Sequence, residues 1–161
     1  MGADRHNGSK SARDRDTDRE HGYGNSTSAE SPLAELDSTT LTSMASSTEL
    51  KEWLAAAREE ELVRRTAHWM SEASKAPGES YRVDPGLTGL PVIDALVAAA
   101  VEVVALQRGE KSPKWASDPA RFLDHFWYPG PRSLFPWALA HAPAPFQIRG
   151  VLIEADSLVS V

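Results

Sequence analysis

Apolar positions divide the chain into zones: few before residue 48, an amphipathic stretch to residue 75, one dense run at residues 91–108, and a proline-punctuated aromatic third. The dense run, PVIDALVAAAVEVVALQR, predicts the central helix. Wound at ~100° per residue, it collects Asp94, Ala98, Glu102 and Ala105 on one narrow stripe. Val92, Ile93, Leu96, Val97, Val101, Val103, Val104 and Leu106 cover most of the remaining surface. A helix apolar over so much of its circumference needs partners on more than one side. Pro91 suits a first helical turn, where its missing N–H is no loss, and Gly109 suits the left-handed position after the last turn. Ala95, Ala98, Ala99 and Ala100 keep the rod slim, so a neighbouring helix can approach closely.

Upstream, Ser47 or Thr48 can cap a helix whose first turn carries Glu49 and Glu52, acids that favour the positive end of the helix dipole. The pattern runs to about Lys75. Leu50, Trp53, Leu54 and Ala57 share one face, whereas Leu62, Trp69 and Met70 fall on another, so the apolar stripe changes sides near residues 58–61. A straight helix cannot bury both stripes in one groove: it bends there, or its halves meet different partners. The change leaves Glu61, Arg64, Arg65 and His68 on the face used earlier by Leu50 and Leu54. That face reads as solvated charge pairs at i, i+3 and i, i+4, or as a contact surface for an acidic partner.

Downstream, YRVDPGLTGLP has the punctuation of a connecting loop. Asp118 with Pro119 announces a short helix through ARFLDHFWY, in which Phe122 and Phe126 stack at i, i+4. Ser133 caps a third element with Pro136 in its first turn and Leu134, Trp137, Ala138 and Leu139 on its buried side, closed by His141. Pro143 and Pro145 start a further short helix that ends at Gly150. Val151, Leu152 and Ile153 read as a brief extended run with no partner in this chain, open to another copy or another protein. A last turn is anchored by Leu158.

The architecture expected is therefore all-α: a small helical domain over residues 48–161 around a central buried aliphatic helix, behind a disordered tail at residues 1–47. The tail is rich in Ser, Thr, Asp, Arg and Gly and holds too few apolar residues to offset an ordering cost of roughly 1–2 kcal/mol per residue. Met44 offers an alternative start just ahead of the first helix. A formal charge of −6 and a pI near 5.3 argue against a nucleic-acid surface built on bulk positive charge. No apolar leader is visible, and Asp94 and Glu102 interrupt the long apolar run, so no membrane span is expected and the cytoplasm is the default compartment. With no cysteine, disulfide and thiolate chemistry are excluded.

Candidate chemistry is sparse. No dinucleotide, P-loop, zincin or EF-hand signature occurs, and no cofactor is implied. His68, His125 and His141 share no ligand spacing, so no metal site is expected. Asp124 and His125, with Arg121 a helical turn away, form the one constellation able to act as an acid/base pair, and no catalytic residue is assigned on it. The five tryptophans read as core anchors, except that Trp127 and Tyr128, beside a proline-rich turn with Arg132, are the first choice for exposed anchors. The partner-binding set is Trp127, Tyr128 and Arg132, with Arg121, His125, Arg64 and Arg65 at its margins. A DNA-binding helix-turn-helix in SLFPWALAHAPAPFQIRG would present only Gln147 and Arg149 to bases.

From Asp94 onward the order of motifs resembles a group of small uncharacterised bacterial proteins of high-GC genomes. These share an aliphatic helix, a W-x-x-D/E-P-x-R-F-L-D segment, an aromatic pair and a closing S-P-x-x-F-x-x-R-G-V-F run. Trp115, Asp118, Pro119, Arg121, Phe122, Leu123 and Asp124 match the second motif; Pro143, Phe146, Arg149, Gly150 and Val151 match the last. The likeness covers somewhat under half of the chain and departs at Pro145 and at Leu152, where an aromatic is usual. Genes of this group lie near toxin–antitoxin-type genes. The resemblance thus implies an antitoxin-like or regulatory protein that binds another protein, with a homo-oligomer also open.

Overall fold

The computed structural model describes residues 45–159, and they form a small all-α domain with α1 at Ser47–Ala55, α2 at Glu59–Lys75, α3 at Pro91–Gln107, α4 at Phe135–His141 and α5 at Ala144–Gln147. Short 3-10 turns fill the connections. The expected tail at residues 1–47 and the alternative start at Met44 lie outside the described residues, apart from residues 45–47. Those three already belong to the domain: Ala45 and Ser47 are buried, and Ser46 is the N-cap, its hydroxyl accepting from the Glu49 N–H.

The central helix behaves as its pattern demands. From Ile93 to Val101 every side chain of α3 is buried, because α1 and α2 cover one side while α5 and the turns at Lys114–Ser117 and Pro119–Arg121 cover another. Gly109 takes the left-handed conformation (φ 69°) just past the helix. The narrow polar stripe is not a solvent face, as Ala98 and Ala105 on it are fully buried. Its acids are paired instead: Asp94 accepts from the Thr88 N–H and hydroxyl, both at 2.8 Å, and Glu102 accepts from Arg149. A buried carboxylate with such partners avoids most of its desolvation cost.

The long N-terminal helix is two helices. The break falls at residues 56–58, just ahead of and overlapping the 58–61 stretch where the apolar stripe was expected to change sides, and both halves then pack on α3 within the same chain. Arg58 opens α2 in an extended conformation, with the Glu61 carboxylate accepting from its N–H at 3.4 Å. Glu59, Glu60 and Glu61 in the first turn face the positive end of the dipole. At the other end, Arg108 donates to the carbonyls of Ala73, Ala76 and Gly78, which the end of α2 leaves without helical partners.

The loop between α2 and α3 is part of the frame. Tyr81 is buried, and three donors from two elements tie the loop down: from α1, Ser47 Oγ to the Val83 carbonyl and Lys51 Nζ to Pro85 at 2.6 Å, and from the turn at Lys114–Ser117, Trp115 Nε1 to Arg82 at 2.7 Å. None of the described helices is long and apolar enough to cross a membrane.

Candidate partner-binding site

The aromatic third departs from its expected helix. Asp118 does cap, its carboxylate accepting from the Ala120 N–H at 2.9 Å, but the turn ends at Arg121 and residues 122–128 continue as an irregular loop, bent at Phe122, Asp124 and His125, with Trp127 as its bridge residue. Two non-local demands override the helical spacing. Arg121 is only 2% exposed, drawn inward to Asp84 at 3.0 Å with its guanidinium 4.5 Å from the Trp115 ring centre. The buried backbone at residues 149–152 also needs hydrogen-bond partners. It finds them here: Leu123 N–H donates to Arg149, Trp127 N–H to Gly150 at 2.8 Å, and Leu152 N–H to Trp127 at 2.9 Å, around a parallel bridge between Trp127 and Val151. The run at residues 151–153 is therefore paired inside its own chain.

The loop leaves Asp124, His125 and Phe126 exposed in succession and returns to the core at Trp127, the bridge residue. Trp127 turns inward: it is half-buried against the core, and its indole N–H donates to Glu59 Oε1 at 3.1 Å. Phe126 is 54% exposed. The Phe126 and Tyr128 rings both meet Phe135 edge-on, with centroids 6.2 and 6.0 Å from it. Phe122 and Phe126, expected to stack, do not pair. Tyr128 is held from beneath by Gly130, where an added Cβ would lie 2.3 Å from the phenol oxygen. Exposed Leu134 shares a cleft of about 390 Å³ with Tyr128, Gly130 and Pro131, and exposed Ile148 shares one of about 250 Å³ with Phe126. Arg132 is exposed on the turn between Tyr128 and Phe135.

The remaining sequence candidates divide. Arg121 is an interior strut and presents nothing to a partner. Asp124 and His125 are both exposed and line a cleft of about 570 Å³ with Phe126, but no hydrogen bond or ion pair joins them, since the helix that would align them with Arg121 is not formed. Arg65 clasps α1 to α2: it donates to the Trp53 carbonyl at 2.7 Å, pairs with Glu61 at 2.8 Å and lies over the Trp53 ring. Arg64 is outward, 77% exposed, in the lining of a groove that adjoins the Tyr128–Leu134 cleft at Glu60, Val63 and Ser157. Trp137, expected in the core, is 56% exposed and stacks on His141 at 3.7 Å. Gln147 donates to the Leu139 carbonyl, and Arg149 is buried, so neither side chain is presented as a base reader. Among the described residues no three His, Asp or Glu converge on a metal position.

Phe126 was expected to stack on Phe122 and Leu134 to lie on the buried side of its helix, where it is instead 46% exposed, and neither they nor Phe135 and Ile148 were expected at a partner surface. The bends at residues 122–125 follow no regular period, so no local pattern in the sequence marks Phe126 as exposed. No family model, curated protein or solved structure matches the chain.

Proposed function

We propose that this is a cytoplasmic, non-catalytic protein that binds another protein through the aromatic face of Phe126, Tyr128, Leu134 and Phe135, with Arg132 at its rim. The observation that carries the reading is the edge-on packing of exposed Phe126 and half-buried Tyr128 on half-buried Phe135, with exposed Leu134 beside them. Rigid aromatic side chains around a partly desolvated centre, with an arginine beside them, are what binding hot spots are made of. The half-buried Trp127 supports this face from below. The resemblance to proteins encoded near toxin–antitoxin-type genes gives the finer reading, an antitoxin-like regulator whose partner is the product of a neighbouring gene.

The test is quantitative co-purification of the full chain with its neighbour-encoded protein from the native host. Phe126→Ser is expected to reduce recovery of that complex by tenfold or more, about 1.4 kcal/mol, while Leu87→Ser, at an exposed leucine on the α2–α3 loop, leaves it unchanged. Equal recovery with both variants would remove the aromatic face from the interface. Retention on duplex DNA with steep salt dependence would instead favour a nucleic-acid regulator.

A further inference from the structure

A second groove of about 710 Å³ opens between the end of α1, the outer side of α2 and the C-terminal residues Ser157 and Val159, and it adjoins the Tyr128–Leu134 cleft through Glu60, Val63 and Ser157. Trp53, Val63, Ala67 and Val159 give it an apolar lining, and the His68 ring stands edge-on to Trp53 at 5.7 Å. The two arginines beside it differ. Arg65 is held by the Trp53 carbonyl and Glu61, whereas Arg64 is 77% exposed and reaches Glu61 only at 3.5 Å. Glu60 is the one carboxylate in the lining. An occupant suited to this surface carries aliphatic side chains for the floor and acidic ones within reach of Arg64.

Such a stretch immediately precedes the described residues. Residues 32–44, PLAELDSTTLTSM, hold Leu33, Leu36 and Leu41 together with Glu35 and Asp37, and no Lys or Arg. No leucine, isoleucine, valine, phenylalanine or tryptophan comes earlier in the chain. The described chain also begins in the right place. Ala45 is buried, and the Ser46 carbonyl accepts from Trp69 Nε1 at 3.2 Å, one residue beyond groove-lining His68. Returning along α1 from Ser46 to Trp53 covers ~10 Å at ~1.5 Å per residue. About four extended residues span that distance, so Leu41 and everything before it reach the groove.

We infer that residues 32–44 dock into the α1–α2 groove of their own chain, leucines on Trp53, Val63 and Ala67, with Glu35 and Asp37 facing Arg64. The groove meets the aromatic face only along Glu60, Val63 and Ser157, and a partner can take it only by displacing this segment. The inference does not depend on the identity of any partner.

The chain has no cysteine, so Ser38→Cys accepts a single nitroxide label in the full-length protein. With the label oxidised, the amide resonances of Val63 and Ala67 and the Trp53 indole are expected to lose most of their intensity relative to the reduced label, independently of dilution. Arg64→Glu is expected to restore that intensity, and Glu35→Lys with Asp37→Lys on the Arg64→Glu background to remove it again. An unchanged spectrum elsewhere shows that the fold is intact in each variant. Full intensity at Trp53, Val63 and Ala67 with the oxidised label would overturn the inference. So would loss centred on Phe126, or loss transferred from a labelled chain to a separately isotope-enriched one, which would mean docking onto a second copy.

Discussion

The Arg149 guanidinium, 1% exposed, donates to the Glu102 carboxylate at 2.5 Å and so ties the turn after α5 to the middle of α3. The same group donates to the carbonyls of Pro145 at 2.6 Å and Ala116 at 2.7 Å, and it lies 5.2 Å from the Phe122 ring centre. One cation thus organises the elements that frame the aromatic third. Removing it strands a carboxylate and two carbonyls, the case in which a buried pair is costly to break. Arg149→Met is expected to lower stability by about 3–5 kcal/mol in chemical denaturation. Glu102→Gln, which keeps an acceptor for the guanidinium, is expected to cost about 1–2 kcal/mol. Equal losses for the two variants would show that charge pairing, rather than the carbonyl bonds, dominates.

Gly150 is the second fixed point of that region. Its backbone is left-handed (φ 79°), and a Cβ there would lie 3.0 Å from Leu123 Cβ, between the two chain segments that exchange hydrogen bonds. Gly150→Ala is expected to cost about 1–2 kcal/mol for the backbone conformation alone, and more if Leu123 cannot give way. Amide exchange at Trp127 and Leu152 should accelerate beyond what the global loss explains. Gly109→Ala is the control: it bears the same backbone cost with open space around it.

How much of this was legible in the sequence follows from where each decision is made. The apolar pattern of α3 is local and continuous, so the rod, its Pro91 start and its Gly109 stop could be read directly. The break between α1 and α2 could be read too, as a stripe that changes sides, though not that both halves return to the same helix. Residues 119–128 could not be read correctly. Asp118, Pro119 and the Phe122–Phe126 spacing are genuine helical signals, but they lose to the burial of Arg121 against Asp84 and Trp115 and to the unpaired backbone at residues 149–152. Both competitors are distant in sequence. The loop that results half-buries Trp127 against the core and leaves Phe126 exposed.

Tyr81 and Glu110 couple stability to pH at both ends of the range. Tyr81 donates to Glu110, which also pairs with Arg82 and Arg108 at 3.0 Å each. The hydrogen bond from Tyr81, followed by the bonds and charges of the two arginines, holds the Glu110 carboxyl below its ordinary value of 4.5. Burial first, then the Glu110 carboxylate, raises the Tyr81 phenol above its ordinary value of 10.0. A carboxylate depressed on folding stabilises above its unfolded pKa and loses that contribution as pH falls. A phenol raised on folding stabilises below its unfolded pKa and loses it as pH rises. Stability is therefore expected to decline below about pH 4.5 and again above about pH 10. Tyr81→Phe should flatten both limbs, measured as denaturation midpoints across pH. An unchanged acid limb in that variant would assign it to other carboxylates.

Gly130 allows the aromatic face to be disturbed without deleting any atom that would touch a partner. Its Cα lies against the Tyr128 phenol so closely that an added methyl would sit 2.4 Å from the ring carbon bearing the hydroxyl, and the ring must swing away from Phe135 to admit it. Gly130 is exempt from the left-handed cost that burdens Gly150, since its backbone is not among the positive-φ glycines. Gly130→Ala should therefore leave global stability within about 0.5 kcal/mol, as expected for a surface change, while shifting the Tyr128 and Phe135 ring resonances. If the Phe126–Phe135–Tyr128 arrangement is what a partner recognises, the same variant weakens the complex about as much as Tyr128→Ala, by more than about 1 kcal/mol. A complex indifferent to Gly130→Ala but sensitive to Phe126→Ser would confine recognition to the Phe126 and Ile148 side of the face.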